Sequence, residues 1–237
     1  MAAKWKPRRS PSRLPALLVP LFLTALPIIA KVYNPEGEVL DSLELFSGEK
    51  AITLACQNLG MAAEGYDKSY STAQNLNTRL GLRVALEKVL RLRNGGFLWA
   101  APECKSWIWT ARSGTNRSYY NAGGDPGVPR VLMANVCVVH LVVVLVVAWL
   151  HGCYLTIENP SSTLLWQFEP FKTFAKFCLK ESCQTFLGAF RHRSPKPLSL
   201  KANHKGVHDL RRHFLIKRNE QMKNQQMKMF WIEKGNS

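Results

Sequence analysis

From Glu38 onward, short apolar runs alternate with helical periodicities and glycine-bearing turns, and this rhythm predicts βαβ units. Val39–Phe46 reads as a strand, Ser47–Lys50 as a turn, and Ala51–Leu59 as a helix stopped by Gly60, a residue suited to the left-handed end of a helix. Met61–Tyr66 is a second short strand. Leu80–Leu92 repeats Leu and Val at three and four residues and reads as a helix ended by Asn94, Gly95 and Gly96, with Phe97–Ala101 following as a buried strand. Val131–Leu150 is the most hydrophobic stretch and has the hydropathy of a membrane span. It nonetheless contains Asn135 and His140, and it runs through His151 and Gly152 straight into the strand-like Tyr154–Ile157, ending at Glu158-Asn159-Pro160. A helix buried on a parallel sheet and followed by its strand accounts for all of this. Residues 194–203 suit a late turn and an edge strand. The fold class these elements imply is α/β, a doubly wound and mostly parallel sheet of the Rossmann-like, nucleotide-cofactor-binding type, flanked by basic flexible termini.

Three parts are expected: a basic and apolar extension at 1–36, the α/β domain at 37–210, and a basic tail at 211–237. In the first, Leu14–Ala30 imitates a signal peptide or a membrane anchor, but Pro15, Pro20 and Pro27 disfavour a regular spanning helix. A targeting peptide, a short anchor and an incidental extension all fit it, and the Asn116-Arg117-Ser118 sequon acquires meaning only if it is a secretory signal. Beyond Leu210, scattered Leu, Phe, Met and Trp among basic residues suit either a surface-seeking amphipathic helix or a frayed extension.

The formal net charge of +16 is unevenly placed. Residues 1–35 hold six basic residues and no acid, residues 190–237 hold twelve against three, and the stretch between them is close to neutral. The tails therefore suit a polyanion such as DNA, RNA or anionic lipid, attracted through counterion release, while the domain itself carries no such bias. A nucleic-acid partner is expected to engage the tails, and membrane attachment is the less favoured alternative. The 46% apolar content excludes wholesale disorder. Six scattered cysteines without a CxxC pair read as reduced and intracellular, with a nuclear or organellar compartment favoured. Cys178, Cys183 and His192 lack the paired spacing of a zinc site, His204 and His208 recur by chance at i,i+4, and no metal is expected.

In open α/β sheets, ligands bind outside the carboxyl ends of the strands, so residues just after each strand are the functional candidates. Gly48 follows the first strand in Glu44-Leu45-Phe46-Ser47-Gly48, where backbone can approach a cofactor. Asp67 follows the second strand, nineteen residues after Gly48, the spacing at which an acid meets ribose hydroxyls. Cys104 follows the third in Pro102-Glu103-Cys104, and Glu158 follows Tyr154–Ile157. The polar, Gly-rich Ser113–Gly127 is placed to act as a lid between the Cys104 strand and the next helix.

This ordered set resembles the catalytic domain of the cytosine-C5 DNA methyltransferases, enzymes that use S-adenosylmethionine. The resemblance spans roughly Leu43 to Asn203 with gaps, and is nearest to uncharacterised eukaryotic members with a degenerate layout, through Thr115-Asn116-Arg117-Ser118, Ala134-Asn135 and Lys196-Pro197 before Leu200. It implies that Phe46, Gly48, Asp67 and Pro102 line a cofactor site, that Cys104 is the nucleophile, and that Glu158, with Asn159 beside it, is the acid. A thiolate would attack carbon 6 of cytosine while the carboxyl group hydrogen-bonds N3, and a base in a duplex would first be flipped out. The chain departs from the family at Lys50, where a second glycine is usual, at Glu103 in place of proline, and at Pro160 in place of valine. It also has no segment for a separate target-recognition domain. Two readings follow: a methyltransferase-like enzyme acting on a nucleic-acid base, or a catalytically degenerate domain serving as a binding or scaffold module. A membrane-attached protein of unrelated function is the third.

Overall fold

A computed structural model describes residues 37–187, 196–211, 213–216 and 229–232. The expectations for 1–36, and those for most of 211–237, fall outside the described residues.

A six-stranded sheet forms the centre of the fold. Its strands are β1 (Leu40–Leu45), β2 (Ala63–Tyr66), β3 (Leu92–Ala100), β4 (Tyr154–Pro160), β5 (Glu181–Phe186) and β6 (Pro197–Ala202), in the spatial order β2-β1-β3-β4-β6-β5. β1 to β4 are mutually parallel, and β6 runs antiparallel to both β4 and β5. The helices are α1 (Ala51–Asn58), α2 (Arg79–Leu90), α3 (Pro129–Leu150) and α4 (Glu169–Cys178). The architecture is thus α/β with a mostly parallel mixed sheet, compatible with a Rossmann-like fold. Two further strands, β7 (His213–Ile216) and β8 (Met229–Ile232), pair antiparallel in a small separate sheet.

The pleat sorts the side chains. Leu43 and Leu45 of β1, Leu98 and Ala100 of β3, and Leu155 and Ile157 of β4 are fully buried in the same apolar cluster as residues of α2, α3 and α4. The alternate positions of β1 face α1, where the Cys56 thiol donates to Ser42 Oγ and Thr53 meets Glu44. Helices therefore lie on both faces of the sheet.

α3 is long and apolar enough to cross a membrane. Leu141–Ala148 are nonetheless buried without a break, and eight consecutive positions make more than two turns, so the helix is covered on every side there. Its polar residues tether it to neighbouring loops, Arg130 Nη2 donating to the Gly114 carbonyl at 2.7 Å. Asn135 Nδ2 donates to the Gly123 carbonyl at 2.9 Å, and His140 Nδ1 lies 2.7 Å from the Leu76 carbonyl. The sequence reading of a helix covering strands holds.

Three expectations need correction. Asn94, Gly95 and Gly96 do not end the preceding helix, which stops at Leu90; they lie inside β3. Leu92 is buried opposite Leu40, and the register then jumps to Ser42 opposite Phe97, so the glycines form a bulge, with Gly95 at φ +73°. Residues 194–203 do not supply an edge strand, because β5 pairs on the far side of β6. β4 runs on through Pro160, so Glu158 lies within its strand rather than after it.

Leu141 has no solvent exposure whereas Leu132 on the same helix is about half exposed. Leu141→Ala is expected to destabilise the fold by about 2–5 kcal/mol and Leu132→Ala by less than about 0.5 kcal/mol, measured by urea unfolding. Equal, small effects would contradict burial of α3 against the sheet.

Candidate functional site

β2 and β3 flank β1 on opposite sides, so the loops leaving β1 and β3 diverge and open the crevice where such sheets bind ligands. All the residues proposed for chemistry lie along this rim.

The turn after β1 is unusual in its backbone. Phe46, Gly48 and Lys50 are all left-handed, with φ of +59°, +45° and +58°, and only glycine takes up this conformation at little cost. A Cβ at Gly48 would meet nothing within 4 Å, so the space above it is open. Phe46 packs against the core, and its amide donates to the Tyr66 carbonyl at 2.8 Å.

Asp67 closes this turn from the end of β2. Its Oδ2 accepts from the Gly48 amide at 3.1 Å, and its Oδ1 accepts from the Ser69 amide and hydroxyl, each at 2.8 Å. Partial burial would raise the Asp67 pKa, but these donors outweigh it and hold the group below the usual carboxylate range. Tyr70 adds a second tie: its hydroxyl lies 3.0 Å from Ser47 Oγ and bonds the Gly48 carbonyl. The Lys50 ammonium rests 4.4 Å from the centre of the Tyr70 ring.

Glu44 was not singled out in the sequence, although it is buried within β1. Its carboxylate accepts from the Thr53 amide at 2.8 Å and the Thr53 hydroxyl at 2.7 Å, and so caps the N-terminus of α1, where Lys50 provides no side-chain cap. An acid at an inward position of a strand, eight to ten residues before a Thr in the next helix, is the signal that could have shown it.

The loop after β3 begins at Pro102, which is buried and whose carbonyl accepts from Asn159 Nδ2 at 2.8 Å. Cys104 follows, its carbonyl accepting from the Trp107 and Ile108 amides. Glu103 is exposed and pairs with Lys68 at 3.1 Å and Lys105 at 3.6 Å, so its charge beside the thiol is countered. Cys137, Cys153 and Cys178 are pushed by burial up to about 12 and stay protonated.

Glu158 and Cys104 converge on one cation. Lys196 Nζ donates to Cys104 Sγ at 3.6 Å, and the same ammonium acts electrostatically on Glu158. Burial pushes the Glu158 carboxyl above its usual range, with Lys196 partly opposing that. Lys196 reaches the rim because β6 is reversed and starts, rather than ends, there. A search confined to residues after strands passes over it, and it entered the sequence reading only as part of the Lys196-Pro197 likeness.

Ser113–Gly127, expected as a lid, is anchored. Thr115, Arg117 and Ala122 are buried within it. The Arg117 guanidinium lies 3.6 Å from the centre of the Trp107 ring, donates to Ser106 Oγ from Nε at 3.1 Å and Nη2 at 2.9 Å, and bonds the Ala122 carbonyl. Gly124, at φ +67°, closes over it, and a Cβ there would come within 2.7 Å of Arg117 Cγ. Desolvation lowers the Arg117 pKa to about 10, which still leaves it charged.

No family model matches the chain, and no curated protein matches it.

The Glu158 shift fixes the sign of one pH effect. A carboxyl group whose folded pKa is raised favours folding at low pH, and that contribution is lost as pH rises through the folded value. Glu158→Gln is therefore expected to be more stable than the parent at pH 7–8. The difference should vanish as pH falls below about 4, the unfolded carboxylate range, in urea melts run across that window. A stability difference independent of pH would show that the carboxyl group titrates normally.

Proposed function

We propose that the chain is an S-adenosylmethionine-dependent methyltransferase-fold protein that acts on cytosine at carbon 5 in nucleic acid. The observation that carries this reading is the Lys196 ammonium, 3.6 Å from Cys104 Sγ at the carboxyl rim of the sheet, where β6 begins beside the end of β4 that bears Glu158. Nucleophile, acid and cation come from three separate segments, which fits a shared substrate better than chance packing.

The cofactor's ribose and amino-acid groups fit the rim on two observations. The space over Gly48 is open, and Asp67 Oδ2 carries one hydrogen bond, leaving it capacity to accept a ribose hydroxyl. When bound, the cofactor would supply an electrophilic methyl group. Cys104 Sγ, with the Lys196 ammonium 3.6 Å away, would form a bond to carbon 6 of the base, its proton passing to solvent. Glu158, whose carboxyl burial pushes above its usual range, would in its protonated form donate to N3 and draw electron density from the point of attack. Carbon 5 would take the methyl group from the sulfonium sulfur, which would leave as the neutral thioether; the carbon 5 proton would then pass to solvent, breaking the bond to Cys104 Sγ and restoring the ring.

The scaffold reading has its own support in Lys50. It occupies a left-handed position where the resembled family has glycine, and its ammonium lies over Tyr70, which itself is bonded to the Gly48 carbonyl. Calorimetry with S-adenosylmethionine separates the two: the enzyme reading expects micromolar binding that Asp67→Ala weakens about tenfold or more, and the scaffold reading expects none.

Incubation with cofactor and a fluorocytosine-containing oligonucleotide should trap a covalent adduct resistant to denaturing gel electrophoresis. Cys104→Ala should abolish it, and Glu158→Gln should slow its formation by about 10²–10⁴-fold. Absence of an adduct on both DNA and RNA, with cofactor demonstrably bound, would refute the proposed reaction.

A further inference from the structure

The excursion between β3 and α3 leaves the sheet at its carboxyl rim and returns to it, because α3 starts where β3 ends. Between Cys104 and Arg130 it carries three exposed large hydrophobic side chains, and all three are aromatic: Trp109 at 49% exposure, Tyr119 at 59% and Tyr120 at 97%. Tyr119 and Tyr120 form the tip of a tight turn closed by the Ser118 amide on the Asn121 carbonyl and the Asn121 amide on Ser118 Oγ, each at 3.0 Å. Their rings sit edge to face, with centroids 5.4 Å apart. Trp109 opens the short helical turn Trp109–Gly114, and the Arg112 guanidinium lies 3.1 Å from its ring centre.

These rings are presented by a rigid support. Two residues before Tyr119, Arg117 is buried and clamped to Ser106 and Trp107. Trp107 in turn packs on Phe168, with centroids 5.1 Å apart, and its carbonyl accepts from the Leu164 amide at 2.8 Å. The clamp begins two residues after Cys104. The Trp107 and Ile108 amides donate to the Cys104 carbonyl at 2.8 and 3.1 Å, so the support of the aromatic turn is continuous with the backbone that carries the thiol.

Charge selects among occupants. The stretch 104–130 holds four basic residues and one acid, in a central region where fourteen basic residues nearly balance thirteen acids. That acid, Asp125, accepts from the Gly127 amide at 2.8 Å. Exposed rings interleaved with Arg and Lys match the chemistry of a strand whose bases stack and whose phosphates seek cations. Aliphatic side chains, which a protein partner's apolar core would need, are not among the exposed large ones here.

We propose that Trp109, Tyr119 and Tyr120, with Arg112 and Lys105, form a stacking platform for single-stranded nucleic acid beside Cys104. The inference rests on the reading of the rim as a base-modifying site and specifies its substrate: an unpaired strand, which needs no duplex opening and no separate recognition domain.

The test uses the full chain and a labelled twelve-nucleotide strand, its duplex, and anionic phosphatidylserine vesicles, with binding read by anisotropy and by co-sedimentation. Measurements at low and at 0.3 M salt separate the platform from the basic tails, whose electrostatic binding collapses with salt. The strand should bind at least tenfold tighter than the duplex at the higher salt. Trp109→Ala and Tyr120→Ala should each weaken it by about tenfold, and Leu59→Ala, at an exposed position beyond α1, should leave it unchanged. A bromouridine strand should photocross-link within the peptide 107–130. Equal affinity for strand and duplex, unaltered affinity in the aromatic variants, or a preference for vesicles would overturn the platform. Strand binding without a fluorocytosine adduct would sink the reaction proposed above while sustaining the platform. An adduct forming equally on duplex would do the reverse.

Discussion

One buried amide holds the functional edge of the sheet together. Asn159 is 1% exposed at the end of β4, and its Nδ2 donates to the carbonyl of Pro102, the second residue beyond β3. Proline cannot donate to the ladder, so a side chain from the adjacent strand continues the pairing past the point where backbone bonding ends. On the other side, the Ala101 amide donates to the Leu45 carbonyl, and the Gly48 amide to Asp67. The carboxyl ends of all four parallel strands are laced in this way, each loop tied to its neighbour. An orphaned buried carbonyl costs about 1–3 kcal/mol, which makes Asn159 a structural requirement before it is anything else. Its consequence is positional, since the backbone that presents Cys104 is fixed against the strand that carries Glu158.

The reversed strand completes the arrangement. Had β6 run parallel to its neighbours, its first residue would lie at the opposite edge of the sheet. Because it pairs antiparallel with β4, placing Leu200 opposite Glu158 and Leu198 opposite Pro160, Lys196 arrives at the rim. The Lys196 ammonium lies 3.6 Å from Cys104 Sγ and partly opposes the upward push of burial on the Glu158 carboxyl. The arrangement therefore depends on a topological detail, the direction of one strand.

Much of this was legible in the sequence. The first two strands, α1 and α3 were placed within a few residues, because glycine stops and apolar runs are local signals. Gly48, Asp67 and Cys104 do follow their strands, whereas Glu158 lies inside β4. Neither β5 nor α4 was anticipated. β5 carries a mixed pattern, but α4 has a local helical signal that was passed over, with Phe171, Phe174, Ala175 and Cys178 buried at i, i+3, i+4 and i+7. The other misses were non-local. The Asn94-Gly95-Gly96 run has the composition of a helix stop, yet it is a bulge, because Leu92 is drawn into the core opposite Leu40 and the extra residues must loop out. The Ser113–Gly127 segment has the glycines and polarity of a lid, but a single arginine stacked on Trp107 converts it into a support. Composition could not reveal that, because an Arg in a polar loop is ordinarily solvated, and only the approach of Ser106 and Trp107 makes it worth burying.

The turn after β1 shows how the two kinds of information meet. Non-glycine residues in sparsely populated backbone regions cost about 1–3 kcal/mol each, and Phe46 and Lys50 both hold such conformations within five residues. Something must over-determine the turn. Glu44 does so from within the sheet, accepting two hydrogen bonds from Thr53 at the α1 N-terminus, where a partly buried anion contributes up to about 2 kcal/mol. Asp67 and Tyr70 do so from the loop after β2, bonding the amide and the carbonyl of Gly48 respectively. The contributions are of the same order as the strain, so the turn is held in place rather than relaxed. Such a turn presents Gly48 in one geometry whether or not a ligand arrives, which is what a preformed site requires and what a merely structural β-to-α connection does not.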